Sequence, residues 1–295
     1  MGQATRIGFI GLGTMGLPMS INLTKKCGLT VIGYDTVPAR REMLDRDGGG
    51  STDDVRTLYK ESDVVFLCLP TTEAMRDCVL ACLDNARPGT IIVELGSSAP
   101  DAIREIDSLV KAKGMHLLDS PVSGGEAGAI DGSLVIMTGG EEEIFAKVLP
   151  LLMCMGVRAT YMGGSGNGSV AKLANNMIVG IHIGAIGEAY AYATRAGLNP
   201  RTLFEAIRGG LADSAVMTRK IPKIISRDFS PSARAEILQK DLKSAVALAD
   251  AMGVAVPLTR KVLDDFYALE TMGKADEDHM AIVRIVERNM GVEVK

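Results

Sequence analysis

Arg6-Ile-Gly-Phe-Ile-Gly11-Leu-Gly13-Thr-Met-Gly16-Leu-Pro-Met-Ser-Ile-Asn22-Leu reads as a strand, a turn and the start of a helix. Residues 6 to 10 are a short apolar run, and glycines stand at 11, 13 and 16 before a helical period sets in. In this context each glycine has its own reason. The first permits a tight turn, the second lets a backbone approach a pyrophosphate, and the third lets helix and strand pack closely. The first N–H groups of the helix then face the phosphates. A second strand, residues 30 to 34, ends in Asp35, 19 residues beyond Gly16. A carboxylate there accepts from the adenosine 2′-hydroxyl and repels a 2′-phosphate. The spacing therefore predicts a dinucleotide site at Gly11, Leu12, Gly13, Thr14, Met15, Asp35 and Thr36. It favours NAD over NADP, a preference that Arg40 and Arg41 soften. GxGxxG alone matches any glycine-rich turn; strand, turn, helix, strand and acid in register make it specific.

Working outward, α/β units continue. Val64 to Leu69 is a continuous apolar run, as suits a parallel sheet covered on both faces. It ends at Pro70-Thr71-Thr72, where either threonine can cap a helix over 73–83. Further strands are expected at 90–94 and 115–119, with a helix from Pro100 to Lys113 between them. In an open α/β sheet ligands lie beyond the carboxyl ends of the strands. Leu69, Pro70 and Thr71, Ser97, and the turn at Ser120-Pro121 should therefore line the cleft. Ser123-Gly124-Gly125 opens a loop of small residues up to Gly132, whose N–H groups suit an anion such as a carboxylate, though a plain connection reads the same way. Residues 134–140 and 159–162 read as closing strands around a helix over 141–153. Gly163-Gly164-Ser-Gly166 is the clearest break in composition and divides the chain into domains 1–164 and 165–295.

Beyond the break only helices are expected: a long one from Gly166 to Ala196, then 200–209, about 213–227, 234–253, 258–272 and 277–289, with 291–295 frayed. The long helix stacks Lys172 and Asn176 on one face with Val179 and Ile183. A partly desolvated lysine loses proton affinity and can trade a proton near neutral pH. Equally, its stem can pack while its head reaches water. The fold class is thus an α/β Rossmann-type domain followed by an all-α domain with a long interdomain helix.

Net charge is −4 with both signs dispersed, so no basic face points to nucleic acid. No uninterrupted apolar run reaches the roughly 18 residues of a membrane span, and the N-terminus shows no leader pattern. Gly2 with Thr5 is only loosely like a myristoylation signal, the hydroxyl standing one position early. The five cysteines include no CxxC pair, and the three histidines are isolated. That usage fits a reducing cytoplasm and no metal site.

Together the motifs resemble the β-hydroxyacid dehydrogenase family. They are Gly-Phe-Ile-Gly-Leu-Gly-Thr-Met-Gly with Met19 and Asn22, Asp-Ser-Pro-Val-Ser-Gly-Gly at 119–125, Gly-x-Gly-x-x-x-Lys-x-x-x-Asn at 166–176, and Lys-Asp-Leu at 240–242. The likeness covers essentially the whole chain. It implies Lys172 as the catalytic acid/base and Asn176 as orienting the substrate. Ser123, Gly124 and Gly125 would hold a small carboxylate substrate, with Ser97 and Lys240 near the nicotinamide end of NAD. It also implies a homodimer or homotetramer. The chain departs from the usual pattern at Ser120, at Glu94-Leu-Gly96 and at Asp278-His279. Two other classes share the framework. Imine reductases usually carry Asp or Tyr at the lysine position, and a non-catalytic dinucleotide-binding scaffold should have lost the lysine or the Ser-Gly-Gly loop. A phosphogluconate-type decarboxylating enzyme is usually much longer.

Overall fold

The computed structural model describes residues 5–295; Gly2 lies outside them. Two compact units are present, the first ending at Lys172 and the second running Leu173–Lys295. The division falls inside the long helix, after Lys172, where composition suggests 164/165.

In the first unit, strands β1 (Ile7–Ile10), β2 (Val31–Tyr34), β3 (Gly50–Ser51), β4 (Val64–Leu67), β5 (Ile91–Glu94) and β6 (His116–Asp119) form one sheet in the order β3-β2-β1-β4-β5-β6. Every pairing is parallel. Helices α1 (Gly16–Cys27), α2 (Pro38–Arg46), α3 (Val55–Glu61), α4 (Thr72–Cys82) and α5 (Pro100–Ala112) make the connections. Period-two alternation sends successive strand residues to opposite faces. Phe9, Phe66 and Val93 meet Met19 and Leu23 of α1 on one side. Ile10, Val65 and Ile92 meet Met75 of α4 and Ile103 of α5 on the other.

The chain then forms β7 (Val122–Ser123), α6 (Gly125–Asp131), β8 (Leu134–Thr138), α7 (Glu142–Met155) and β9 (Gly156–Tyr161). The small-residue stretch after Gly124, expected as a loop, is instead a helix, closed at Gly132 in the left-handed conformation. The closing strands are β8 and β9; β8 pairs with both β7 and β9, and the three form a separate sheet. Asn22 of α1 ties this part down, its amide donating to the last carbonyls of α6, Ala129 O at 2.8 Å and Ile130 O at 3.0 Å.

Helix α8 (Asn167–Arg195, 29 residues) starts in the first unit and runs on into the second. The second unit adds α9 (Pro200–Ile207), α10 (Ala215–Ile225), α11 (Ala235–Ala251), α12 (Pro257–Thr271), a 3-10 turn (His279–Ile282) and α13 (Val283–Met290). Along α8, Gly180, Gly184 and Gly187 leave room for Leu242, Val262 and Val283 respectively. The expected last helix begins instead as the 3-10 turn, which the Asp278 carboxylate caps by accepting from Met280 N at 3.1 Å, and it is α-helical only from Val283. Asp278 also lies against the Lys220 ammonium at 2.8 and 2.9 Å, in a buried pair joined by Ser232. The tail is anchored rather than frayed. Val294 is fully buried, and its N–H donates to Glu287, which is held in turn by Arg227.

By length and composition α8 meets the requirement for a membrane span, and 28% of that stretch is buried in the single chain. Its inward side chains, Ile183, Tyr190 and Ala191, belong to the helical core.

Candidate functional site

Because all six strands are parallel, Gly11, Asp35, Leu69, Ser97 and Ser120 leave the sheet at the same edge. The glycine turn sits against the end of β4. A side chain on Gly11, whose φ is +90°, would meet the Cys68 carbonyl at 2.3 Å. At Gly16 a Cβ would lie 1.8 Å from the Gly11 carbonyl oxygen, so helix and turn touch backbone to backbone. At Gly13 a Cβ would meet nothing within 4 Å: there the missing side chain leaves open space instead of relieving a clash. No side chain caps the N-terminus of α1. Among its first residues Leu17 N and Met19 N donate to the Gly13 and Met15 carbonyls, and Pro18 carries no N–H. The tight turn at Gly11 and the open space at Gly13 fit the pyrophosphate of a dinucleotide.

Asp35 is buried, and its carboxylate is already engaged. One oxygen accepts from Leu12 N at 2.8 Å and the other from Val37 N at 2.8 Å, with Arg40 Nη1 at 3.4 Å. The Leu12 N–H thus serves the carboxylate, and its side chain is in the core. Arg40 Nη1 donates to both oxygens, at 3.5 and 3.4 Å, so a ribose hydroxyl would take the place of that exposed guanidinium. Arg41 donates to the Asp35 carbonyl at 2.6 Å. Thr14, Thr36 and Pro70 are exposed, while Met15, Leu69 and Ser97 are half-buried. Thr71, rather than Thr72, caps α4, accepting from Ala74 N at 3.1 Å. Thr72 accepts from Ala99 N at 3.1 Å and so joins the turns after β4 and β5.

Ser123 ends β7, opposite Val135 of β8. Gly124 and Gly125, with φ of +144° and +69°, take conformations that suit glycine, and they lead into α6. Lys172 lies a turn into α8, half-buried and within the same unit. The residue that fixes the start of α8 is Asp119, at the end of β6. Its carboxylate accepts from Gly166 N at 2.9 Å and Ser169 N at 2.7 Å. Burial pushes this carboxyl upward, and those two N–H groups pull it back.

In the second unit Asn176 is buried, one turn beyond Lys172. Its amide nitrogen donates to Asp241 at 2.6 Å, and its oxygen accepts from Asn175 at 2.9 Å. Lys240 Nζ lies 3.5 Å from the other Asp241 oxygen. The sequence motifs imply roles for Asn176 and Lys240 but none for Asp119 or Asp241. Asp119 and Asp241 both stand inside quoted motifs. The available signal was an acid in an apolar setting, which needs donors. No group of three His, Cys, Asp or Glu able to hold a metal occurs among the described residues.

Residues 6–163 match the family model of the NAD binding domain of 6-phosphogluconate dehydrogenase, and residues 166–286 match that of the NAD-binding of NADP-dependent 3-hydroxyisobutyrate dehydrogenase. The chain belongs to the β-hydroxyacid dehydrogenase family. Among its relatives is 2-hydroxy-3-oxopropionate reductase of Escherichia coli, 35% identical over 96% of this chain and 97% of the relative. Another is 2-(hydroxymethyl)glutarate dehydrogenase of Eubacterium barkeri, 32% identical over 100% and 99%. The solved structure of 3-hydroxyisobutyrate dehydrogenase from Mycobacterium tuberculosis with L-serine superposes with a TM-score of 0.89, at 32% identity, covering 96% and 99% of the two chains. Like these family members, the chain is an oxidoreductase with NAD(P)-binding domains.

Proposed function

We propose that this protein transfers hydride between NAD and a small β-hydroxy acid or its semialdehyde, of the 3-hydroxyisobutyrate or 2-hydroxy-3-oxopropionate type. The observation that carries the reading is the gathering of three features in one unit: the glycine turn, the Ser123-Gly124-Gly125 segment and Lys172. When bound, the nicotinamide supplies or accepts the hydride. The chain's own residues do the rest. Gly11 to Met15 and the start of α1 would hold the pyrophosphate, and Asp35 the adenosine ribose. Ser123, Gly124 and Gly125 hold the substrate carboxylate. In oxidation, neutral Lys172 takes the hydroxyl proton; in reduction, its ammonium returns a proton to the developing alkoxide. Asn176, fixed through its amide by Asp241, would orient the reacting oxygen, and Ser97 and Lys240 would serve the nicotinamide end. Lys172 also favours this reading over an imine reductase. Steady-state assays with NAD and NADP against 3-hydroxyisobutyrate, glycerate, threonate, 4-hydroxybutyrate and their semialdehydes test it. No turnover of any of them with either dinucleotide would leave only a nucleotide-binding scaffold.

Cofactor choice turns on Asp35. Its charge disfavours a 2′-phosphate, and Arg40 beside it is half exposed. Asp35→Ala removes the repulsion and frees Arg40 for that phosphate. The ratio of kcat/KM for NAD to that for NADP should fall by roughly tenfold or more, about 1.4 kcal/mol. An unchanged ratio removes Asp35 from the ribose site.

The protein is further proposed to be a homodimer or homotetramer. Ile178 and Tyr192 on α8, Ile237 on α11 and Leu258 on α12 are exposed in the single chain. An apolar helix whose outer side chains face water is matched by a second copy of the same surface. Light scattering should give a multiple of the 31.2 kDa chain mass; a monomer mass at micromolar concentration rejects the assembly.

A further inference from the structure

We infer that Asp119 is the positioning residue for Lys172, holding the start of the lysine helix on the strand from which the substrate segment departs. This rests on the acid/base reading of Lys172. The first N–H groups of a helix have no partner within it, and a local side chain usually supplies one. Here the cap position, Gly166, has no side chain, and the Asn167 amide donates to Met162 O at 3.0 Å. The cap comes instead from Asp119, whose oxygens take one N–H each, from Gly166 and Ser169. Asp119 is itself held. It exchanges two backbone bonds with Gly139, at 3.1 and 2.8 Å. The helix sits directly on this junction: a Cβ on Gly168 would lie 2.3 Å from the Asp119 carbonyl oxygen and 2.5 Å from that of Met137. Lys172 follows Ser169 by three residues, so the bonded N–H and the lysine are about 4.5 Å apart along the helix axis. On its other side Asp119 leads to Ser120, whose N–H donates to Glu94 O at 2.6 Å, and then to Ser123. One buried residue therefore fixes two things by different atoms: its carboxylate holds the helix that carries the proton-transfer group, and its backbone holds the root of the segment that takes the substrate acid. Misplacement of a reacting group by about 1 Å can cost on the order of a hundredfold in rate.

Asp119→Asn keeps the volume but removes the charge and turns one acceptor into a donor facing an N–H. It should lower kcat by roughly ten- to a hundredfold. KM for the acid and the dissociation constant of NADH, read by its fluorescence, should stay within about threefold. Turnover is counted per NADH-binding site, so a variant that folds only in part still gives a figure. Ser169→Pro removes the same bond from the donor side, at a first-turn position where the N–H has no partner in the helix, and should act in the same direction. If both variants keep kcat per site within threefold of the parent and lose only thermal stability, Asp119 is structural and the inference is overturned. Lys172→Ala is the control. If it stays active, the acid/base reading itself fails and the inference falls with it; if it is dead while the Asp119 and Ser169 variants are active, only the inference fails.

Discussion

Lys172→Ala should lose most turnover while still binding the dinucleotide. A placed acid/base contributes about 10²–10⁴-fold, or about 3–5 kcal/mol of barrier. The loss should appear in kcat for both directions, because the same nitrogen accepts the proton in oxidation and returns it in reduction. NADH binding should be unaffected, because the glycine turn and Asp35 are separate from α8. The same comparison bears on the bland alternative, in which the stem packs and the head reaches water. That alternative predicts a change in stability and little in rate. Turnover within threefold of the parent, measured on the best substrate of the assay panel, excludes the assignment.

Asp278→Ala should be the most damaging change to the helical unit. It strands the Lys220 ammonium, whose side chain is 11% exposed, without its carboxylate. It also leaves the N–H groups of Ser232 and Met280 without their acceptor. Breaking a buried pair from one side costs about 3–5 kcal/mol. In a unit of this size that lowers the thermal midpoint by more than about 5 °C. Burial pushes the Asp278 carboxyl up, but the charges of His279 and Lys220 and the Ser232 N–H outweigh it and hold the group at about 2, against an ordinary 3.8. A carboxyl so depressed contributes its stability above its ordinary value and loses it as pH falls toward the lowered one. The parent's stability from this pair should therefore be complete at neutral pH and drain between about 4 and about 2. A variant melting within 1 °C of the parent would mean that water replaces the carboxylate.

The parts of the molecule legible in sequence are those whose causes are local. The glycine turn could be read because each glycine answers to a neighbour a few residues away, and the buried strands because an apolar run bounded by turns has few other uses. The parts that were not legible depend on distant partners. Gly125 to Asp131 reads as a loop, since two glycines and an alanine-rich run carry no periodicity; its helix is held at the far end by Asn22. The tail reads as frayed because nothing near Val294 in sequence predicts a fixed end, yet Glu287 and Arg227 secure it. The last helix reads as α-helical from 277 because Asp278 looks like one more surface acid, whereas it faces Lys220 and caps a first turn that is 3-10. In the site, the motif containing Asp119 is plain, but its hydrogen-bond partners lie 47 and 50 residues further on.

The bare flank of α8 at Gly180, Gly184 and Gly187 has a practical corollary. With Leu242, Val262 and Val283 already at 3.1 to 3.4 Å from where methyl groups would sit, an alanine there asks its neighbours to yield a few tenths of an ångström and a larger residue asks for more than they have. Efforts to broaden the range of acids accepted by mutagenesis should leave these three codons untouched and draw their diversity from elsewhere on the chain.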